Sequence, residues 1–170
     1  MTQKLLNDFQ QIKFSVSATT RRPRDGEIDG VHYHFLTEEE FREKIKNDAF
    51  LEWEEFYNGT LYGTLKQSVE NELIKGYFVL LDVDVLGALN VKKIYGNRAL
   101  SLFLAPPSIE VLKERLIARG TETEETLKTR VERAHKELGH ASQFDHIIIN
   151  DELETAYMKI KDIVTSFINL

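Results

Sequence analysis

The stretch YFVLLDV, at residues 77–83, is the clearest indication of the fold in this sequence. Two more segments are equally apolar, ALSLFLA at 99–105 and HIIIN at 146–150, and IKFSVSA at 12–18 is a fourth candidate. Short apolar runs without polar alternation are typical of strands that are buried on both faces, as in a parallel sheet covered by helices. The sequence therefore predicts such a sheet.

Helical patterns lie between these segments, and strands that alternate with helices predict an α/β fold in which helices flank a parallel sheet. Capping boxes at 37–40 and 121–124 open two of the helices, and glycines at Gly76 and Gly120 end two of them. The predicted helices are 37–47, 65–75, 108–119, 121–138 and 152–167.

Residues 31–64 depart from this pattern. They contain the alternating HYHF, and the segments FLEWEEF and TLYGTL lie on either side of Asn58-Gly59, which is a hairpin signal. We predict a small mixed β piece that is inserted into the α/β body. The chain is then a single domain over 1–170, with a subdomain at 15–65 and a charged helical segment at 120–140.

Composition limits the partners of this domain. A formal charge of −6 and an isoelectric point near 5.4 argue against a nucleic acid polymer, which needs a broad basic face. The chain has no cysteine, which excludes disulfides and thiolate zinc sites and makes a reducing cytoplasm the expected location. No apolar run approaches the length of a membrane span, so no membrane partner is expected. The oligomeric state is left open.

A local basic cluster stands out against this acidic background. The segment FSVSATTRRPRDGEIDGVHYHF, at 14–35, has arginine at Arg21, Arg22 and Arg24, just after a predicted strand. A guanidinium group can donate two parallel hydrogen bonds to two phosphate oxygens. Ligands of parallel α/β sheets bind at the carboxyl ends of the strands, which is where this cluster is expected. The cluster on its own is equally consistent with a solvated basic turn or a sorting signal.

The order of the motifs favours the phosphate interpretation. SVSATTRRPRDGEIDGVHYHF, FLEWEEF, LYGT, LLDVDVLGAL, APPS, RLIARGTETEE and IIIND together resemble the guanylate kinase family, and the resemblance runs from about Phe14 to the C-terminus. It implies a P-loop kinase type of fold with a GMP-binding subdomain at 15–65 and a helical lid at 120–140. It also implies transfer of the terminal phosphoryl group of ATP to GMP, with Mg²⁺ as the metal.

The resemblance assigns the GMP phosphate to Arg21, Arg24, Tyr33 and Tyr62. Two guanidinium groups and two phenolic donors are well suited to hold a dianion.

The guanine base is assigned to Ser17, Glu52 and Thr64. One carboxylate can accept both the N1–H and N2–H donors of guanine, whereas adenine has an acceptor at N1 and no amino group at C2. The resemblance therefore makes Glu52 the selective residue, because a hydrogen-bonding site strongly rejects a ligand that leaves it unpaired.

Two carboxylates and four further residues complete the implied site. The resemblance implies that Asp82 and Asp84 both belong to the GMP-binding residues, and that Asp82 also lies near the Mg²⁺ ion, which it contacts through a metal-bound water. The lid arginines implied to stabilise the transferring phosphoryl group are Arg115, Arg119 and Arg130, and the implied ATP contacts are Arg115 and Asn150.

One part of the family pattern is absent. Members begin with a strand and a glycine-rich P-loop, G-x-x-x-x-G-K-[ST], which holds the ATP phosphates. This sequence has no such motif, and MTQKLLNDF resembles the rest of the helix that follows the loop. We expect a fragment, or a start at an internal methionine. A natural relative without ATP chemistry is disfavoured, because losing the strand would expose a sheet edge. If the loop is truly missing, the chain as it stands is expected to be inactive as a kinase and to bind at most GMP or a phosphopeptide.

Three functions are compatible with these residues. The leading hypothesis is a guanylate kinase. The alternative is a non-catalytic guanylate-kinase-like domain that binds phosphopeptides at the GMP phosphate site. A kinase for another nucleoside monophosphate is third, because the residues assigned to the base favour guanine.

Overall fold

The computed structural model describes residues 1–56, 59–120 and 123–169, and the elements named below lie in those ranges. The helices are α1 (Thr2–Asp8), α2 (Glu38–Lys46), α3 (Lys66–Ile74), α4 (Val85–Tyr95), α5 (Ile109–Arg119), α6 (Glu124–Leu138) and α7 (Leu153–Ile168). The strands are β1 (Ile12–Phe14), β2 (Ala18–Thr19), β3 (His34–Phe35), β4 (Phe50–Glu55), β5 (Leu61–Leu65), β6 (Phe78–Leu80), β7 (Leu102–Ala105) and β8 (His146–Ile149). The chain divides into two units, Met1–Ile94 and Tyr95–Leu170.

The first unit contains a parallel strand pair and a four-stranded mixed sheet. β1 and β6 pair in parallel, with Ile12 opposite Phe78. The mixed sheet has the strand order β3-β2-β5-β4, in which β2 is parallel to β3 and antiparallel to β5. The mixed β piece predicted within 31–64 is therefore present, although β2 extends it toward the N-terminus. The subdomain limits of 15–65 stay a prediction.

The core of this sheet lies on the face that α2 covers. Ala18, Phe41, Phe50 and Leu61 are buried together, and the rings of Phe41 and Phe50 stack with their centroids 4.3 Å apart. α2 begins with the predicted capping box, because the Thr37 side chain accepts from the Glu40 N–H and the Glu40 carboxylate accepts from the Thr37 N–H. Local capping and an apolar stripe thus place α2 on the sheet.

β4 and β5 form the predicted antiparallel hairpin. Tyr57 and Asn58, at its turn, lie outside the described residues. Gly59, which follows them, has φ of 77°, a left-handed conformation that glycine adopts without steric cost.

The second unit contains the parallel pair β7 and β8, with Leu102 opposite His146 and Ala105 opposite Ile149. Four residues of α7 are buried in this unit, namely Ala156, Tyr157, Ile160 and Val164. Leu104, Ile147 and Ile149 are each exposed by nearly half, so the expectation of burial on both faces is wrong here. Each strand of a two-stranded pair has a neighbour on one side only, which leaves its side chains partly uncovered.

Two helices differ from the sequence-based expectation. The capping box predicted at Thr121 and Glu124 is wrong in position, because α6 begins at Glu124 and the capping side chain is that of Thr123; Thr121 itself lies outside the described residues. α4 was not predicted, because its first turn directly follows the apolar run at 77–83. α5 ends as predicted at Gly120, which has φ of 70°.

The fold class is nonetheless the predicted one, an α/β protein with parallel strand pairs, a mixed sheet and flanking helices. Within its described residues, the chain contains no helix that is both long and apolar enough to cross a membrane.

Candidate active site

The second face of the mixed sheet, opposite the α2 core, carries polar side chains. Side chains two residues apart on a strand point to the same face, as do side chains at paired positions of neighbouring strands. Tyr62 and Thr64 are two apart on β5; Thr19 is paired with Tyr62, and Glu52 with Thr64. One face of the sheet therefore carries positions that were assigned to both the phosphate and the base.

Arg21 lies two residues beyond the end of β2. Its backbone N–H donates to Thr19 Oγ1 at 3.1 Å, which turns the chain at the end of the strand. Its guanidinium group donates from Nη1 to Glu27 Oε2 and from Nη2 to Glu27 Oε1, both at 2.8 Å. Nη1 also donates to the backbone carbonyl of Arg22 at 2.8 Å. This bidentate pairing with Glu27, together with Tyr62, raises the pKa of Arg21, so the group stays cationic.

Aromatic rings surround this guanidinium group. The Arg21 Cζ atom lies 5.2 Å from the ring centroid of Tyr33 and 5.8 Å from that of Phe35. The ring centroid of Tyr62 lies 6.0 Å from that of Tyr33. Such cation–π contacts hold a cation in place without using its N–H donors. The structure thus brings together Arg21, Tyr33 and Tyr62, as the resemblance implied.

Arg24 belongs to the same loop, but its side chain is exposed. Its backbone N–H donates to Glu27 Oε2 at 2.7 Å, and its carbonyl accepts from the Glu27 N–H at 3.0 Å. The charge of Arg24 also helps to lower the pKa of Glu27. Arg24 therefore adds positive charge beside Arg21.

The guanine-assigned residues include a buried carboxylate. Glu52 and Thr64 are 7% and 1% exposed, and Thr64 Oγ1 donates to Glu52 Oε1 at 2.5 Å. Burial, and to a smaller extent the charge of Asp84, raise the pKa of Glu52, whereas the hydrogen bond from Thr64 lowers it. Ser17 is half-buried just before β2, and its carbonyl accepts from the His34 N–H at 2.9 Å. A buried carboxylate with capacity for further hydrogen bonds is suited to a ligand with two adjacent donors.

The two aspartates follow β6, as expected, although the residues of β6 are only half-buried and the predicted burial of this strand on both faces is wrong. Asp84 Oδ1 accepts from the Gly87 N–H at 2.8 Å and so caps α4, in addition to its electrostatic effect on Glu52. Asp82 is exposed. The described residues contain no group of three or more His, Cys, Asp or Glu side chains that could hold a metal ion. A single carboxylate such as Asp82 still fits Mg²⁺, which commonly binds through one or two carboxylates, waters and substrate phosphates.

The remaining assigned residues belong to the second unit. Arg115 donates from Nη1 to the carbonyl of Asn150 at 2.6 Å and from Nη2 to the carbonyl of Asp151 at 2.9 Å. The structure therefore joins Arg115 to Asn150. Arg119 is the exposed last residue of α5, and Arg130 is exposed on α6.

Two residues of the site were missed by sequence reasoning. Glu27 pairs with Arg21, and Gly87 lies against Glu52, where a Cβ atom would come within 2.8 Å of Glu52 Oε2. An isolated glycine within a helical pattern often has a packing reason, so Gly87 carried a usable signal. Glu27 carried no usable sequence signal apart from its position near the arginines.

A cationic guanidinium group beside two tyrosines, and a buried carboxylate on the polar face of the adjoining sheet, are features of a nucleotide-binding α/β protein. The family model "Guanylate kinase" matches residues 1–167. Guanylate kinases of Bacteroides fragilis and Chlorobium luteolum are 49% and 48% identical to the chain, over 98% and 99% of its length and 81% and 85% of their own. The crystal structure of guanylate kinase from Anaplasma phagocytophilum matches with a TM-score of 0.79 and 31% identity, over 97% of this chain and 79% of that one. The chain belongs to the guanylate kinase family.

Proposed function

We propose that the chain binds GMP on the polar sheet face of its first unit and acts as a guanylate kinase, a phosphotransferase. In the reaction, an oxygen of the GMP phosphate attacks the terminal phosphorus of ATP. The bond between that phosphorus and the bridging oxygen breaks, and the products are ADP and GDP. Family membership and the high coverage of the related guanylate kinases support this activity.

The buried Glu52–Thr64 pair is the observation that carries the choice of GMP. Thr64 occupies Oε1, and the carboxylate can accept further hydrogen bonds, as N1–H and N2–H of guanine require. Tyr62, two positions away on β5, is about 7 Å along the strand, so base and phosphate contacts can come from one strand. Ser17 is proposed as a further guanine contact, and Asp84 as a further residue on the GMP side of the site.

Arg21, Arg24, Tyr33 and Tyr62 are proposed to bind the GMP phosphate. Tyr33 and Tyr62 can donate from their hydroxyls, and Arg21 from the N–H groups that its protein partners leave available. The positive charges of the two arginines offset the cost of removing the phosphate dianion from water.

For ATP, we propose contacts from Arg115 and Asn150, with Arg115, Arg119 and Arg130 stabilising charge on the transferring phosphoryl group. Phosphoryl transfer depends mainly on positioning and electrostatic stabilisation, for which arginine is well suited. Mg²⁺, when bound with ATP, neutralises phosphate charge, and Asp82 is the proposed residue that holds it through water. The lid at 120–140 and a cytoplasmic location are part of the same proposal.

The experiment compares Glu52→Gln with the unchanged protein for GMP and AMP binding by calorimetry, and for ATP-dependent conversion of GMP to GDP. Losing a charge-assisted hydrogen bond should weaken GMP roughly ten- to hundredfold and narrow the preference over AMP. Glu55→Gln is the matched control, because Glu55 is exposed on the same strand. Unchanged preference for GMP in Glu52→Gln would refute the guanine assignment.

The same experiment separates the kinase from a non-catalytic domain. A phosphoserine peptide should not bind the unchanged protein, whereas GMP should. Peptide binding without GMP binding would favour the non-catalytic alternative, which none of the comparisons supports. GMP binding without GDP formation would support the recognition site and remove the kinase reaction from this chain.

A further inference from the structure

Glu27 is a carboxylate of the phosphate cluster to which the proposed function gives no role. Its two oxygens accept from Arg21 Nη1 and Nη2, each at 2.8 Å, and Oε2 also accepts from the Arg24 N–H at 2.7 Å. The side chains of Arg21 and Glu27 are only 18% and 17% exposed. One carboxylate thus ties the guanidinium group of one phosphate-assigned arginine to the backbone of the other.

Counting the N–H donors of Arg21 shows which edge of its guanidinium group the pairing with Glu27 leaves available for a ligand. Arginine has five N–H donors, two on each Nη atom and one on Nε. Glu27 and the Arg22 carbonyl take both hydrogens of Nη1, and Glu27 takes one hydrogen of Nη2. Within the described residues, no carboxylate or carbonyl accepts from Nε or from the second Nη2 hydrogen; the further hydrogen-bonding partner of the Arg21 side chain is the Tyr62 side chain, which is itself proposed to bind the phosphate. These two N–H groups point in parallel from one edge, the arrangement that binds two phosphate oxygens.

The orientation of that edge is restrained on several sides. The rings of Tyr33 and Phe35 lie near the guanidinium group, at 5.2 and 5.8 Å from Cζ to the centroids. These contacts limit the position of the cation, but a ring face does not select which edge points where. The bidentate bond to Glu27 does select the orientation. It occupies the Nη1–Nη2 edge of the guanidinium group, which fixes the direction of the Nε–Nη2 edge.

We propose that Glu27 is a positioning residue that holds the Nε–Nη2 edge of Arg21 toward the GMP phosphate. This inference rests on the proposed function, since it presupposes that Arg21 binds GMP. An arginine side chain has many rotamers, and a fork fixed before binding loses less conformational freedom when the ligand arrives. The pairing also keeps the pKa of Glu27 low, at about 2, so the carboxylate stays ionised wherever the phosphate is a dianion.

An opposing effect makes the sign of the result informative. Glu27 is negative and lies near a site for an anion, so its charge alone should repel GMP. If repulsion or competition for Arg21 dominated, neutralising Glu27 would tighten GMP binding. If orientation dominates, as proposed, neutralising it weakens binding, since glutamine has one acceptor oxygen and a donating amide and cannot form the bidentate pairing with Nη1 and Nη2.

The test measures the affinities of Glu27→Gln for GMP and for guanosine by calorimetry. GMP affinity should fall about tenfold, the equivalent of one charge-assisted hydrogen bond, whereas guanosine affinity should not change because guanosine has no phosphate. Asp25→Asn is the matched control: it removes the same charge from an exposed position in the same loop, and GMP affinity should stay within about twofold. Glu27→Asp, which keeps the charge but shortens the reach, should lie between the unchanged protein and Glu27→Gln.

Three results would overturn the inference: tighter GMP binding by Glu27→Gln, unchanged GMP binding, or an equal loss for GMP and guanosine. The last would mean that Glu27 supports the fold in general. Failure of the unchanged protein to bind GMP is a different outcome, which would instead refute the proposed function.

Discussion

Replacing Gly87 with alanine tests whether the helix backbone at this position holds the Glu52 carboxylate, the proposed guanine-binding group, in place. A Cβ atom at Gly87 would lie 2.8 Å from Glu52 Oε2, 3.1 Å from its Cγ and 3.2 Å from its Cδ. Ordinary contact begins near 3.5 Å, so the carboxylate would have to retreat by about 0.7 Å. Thr64 holds its other oxygen at 2.5 Å and Glu52 is buried, so the retreat strains or breaks that hydrogen bond.

Two effects of Gly87→Ala oppose each other. Alanine in a helix is favoured over glycine by about 1 kcal/mol. Inserting a methyl group into a closely packed region costs about 1–3 kcal/mol. The expected net change in the free energy of unfolding is therefore a loss of about 0–2 kcal/mol. GMP affinity should fall more clearly, by tenfold or more, because the hydrogen-bonding geometry of Glu52 is disturbed by a large part of an ångström.

A double-mutant cycle with Glu52→Ala isolates the contact. Without the Glu52 side chain there is nothing for the new methyl group to meet, so Gly87→Ala should then stabilise the protein by about 1 kcal/mol. Urea unfolding measures the stabilities, and calorimetry with GMP measures binding by the Gly87→Ala single variant. If Gly87→Ala had the same effect with and without Glu52, or left GMP affinity unchanged, the helix would be yielding instead of Glu52, and the reasoning would be refuted.

Two further predictions concern protonation and the second unit. Burial raises the pKa of Glu52 above its value in the unfolded chain. The contribution of Glu52 to the free energy of unfolding should therefore decline as pH rises from about 4.3 through the raised pKa. This part of the pH dependence of stability should vanish in Glu52→Gln. Guanosine has no phosphate group that titrates, so its affinity reports on the protein alone. It should fall on acidification through the same pH range in the unchanged protein and not in Glu52→Gln. Identical pH profiles for the two proteins would contradict this prediction. In the second unit, Asp145→Ala should cost about 1–3 kcal/mol in urea unfolding, because Asp145 Oδ2 accepts from both the N–H and the hydroxyl of the buried Ser101, each at 2.8 Å. Ser101→Ala keeps the N–H bond but loses the hydroxyl bond and also the bond that Ser101 Oγ accepts from the Asp145 N–H at 3.0 Å, so its cost should be comparable. A negligible loss in either variant would argue against this explanation.

Sequence patterns predicted much of the local structure correctly. The capping box at Thr37 and Glu40 opens α2, and Gly120 ends α5 in the left-handed conformation. These signals act within one helical turn, so they can be read along the chain. α4 was missed, because its apolar residues continue the run of the preceding strand and no alternation marks the change.

The assigned site residues were predicted from motifs, and their grouping depends on longer-range contacts. Arg21, Tyr33 and Tyr62 were expected together, and sheet pairing does bring them together. Their roles toward GMP stay predictions. The motif could not show that Arg115 is bound to the carbonyls of Asn150 and Asp151, because that contact joins residues 35 and 36 positions apart.

Residue types, apolar runs and capping signals were enough to establish the α/β class, the family resemblance and the candidate residues, because each depends on neighbours along the chain. The partner of each side chain was settled by folding. Glu27 acquired its partner through the turn that brings it against Arg21, and Glu52 acquired a raised pKa through its burial under α4, beside Gly87. Hydrogen bonding and desolvation depend on distances of a few ångströms in space, and in this chain strand pairing and helix packing set those distances.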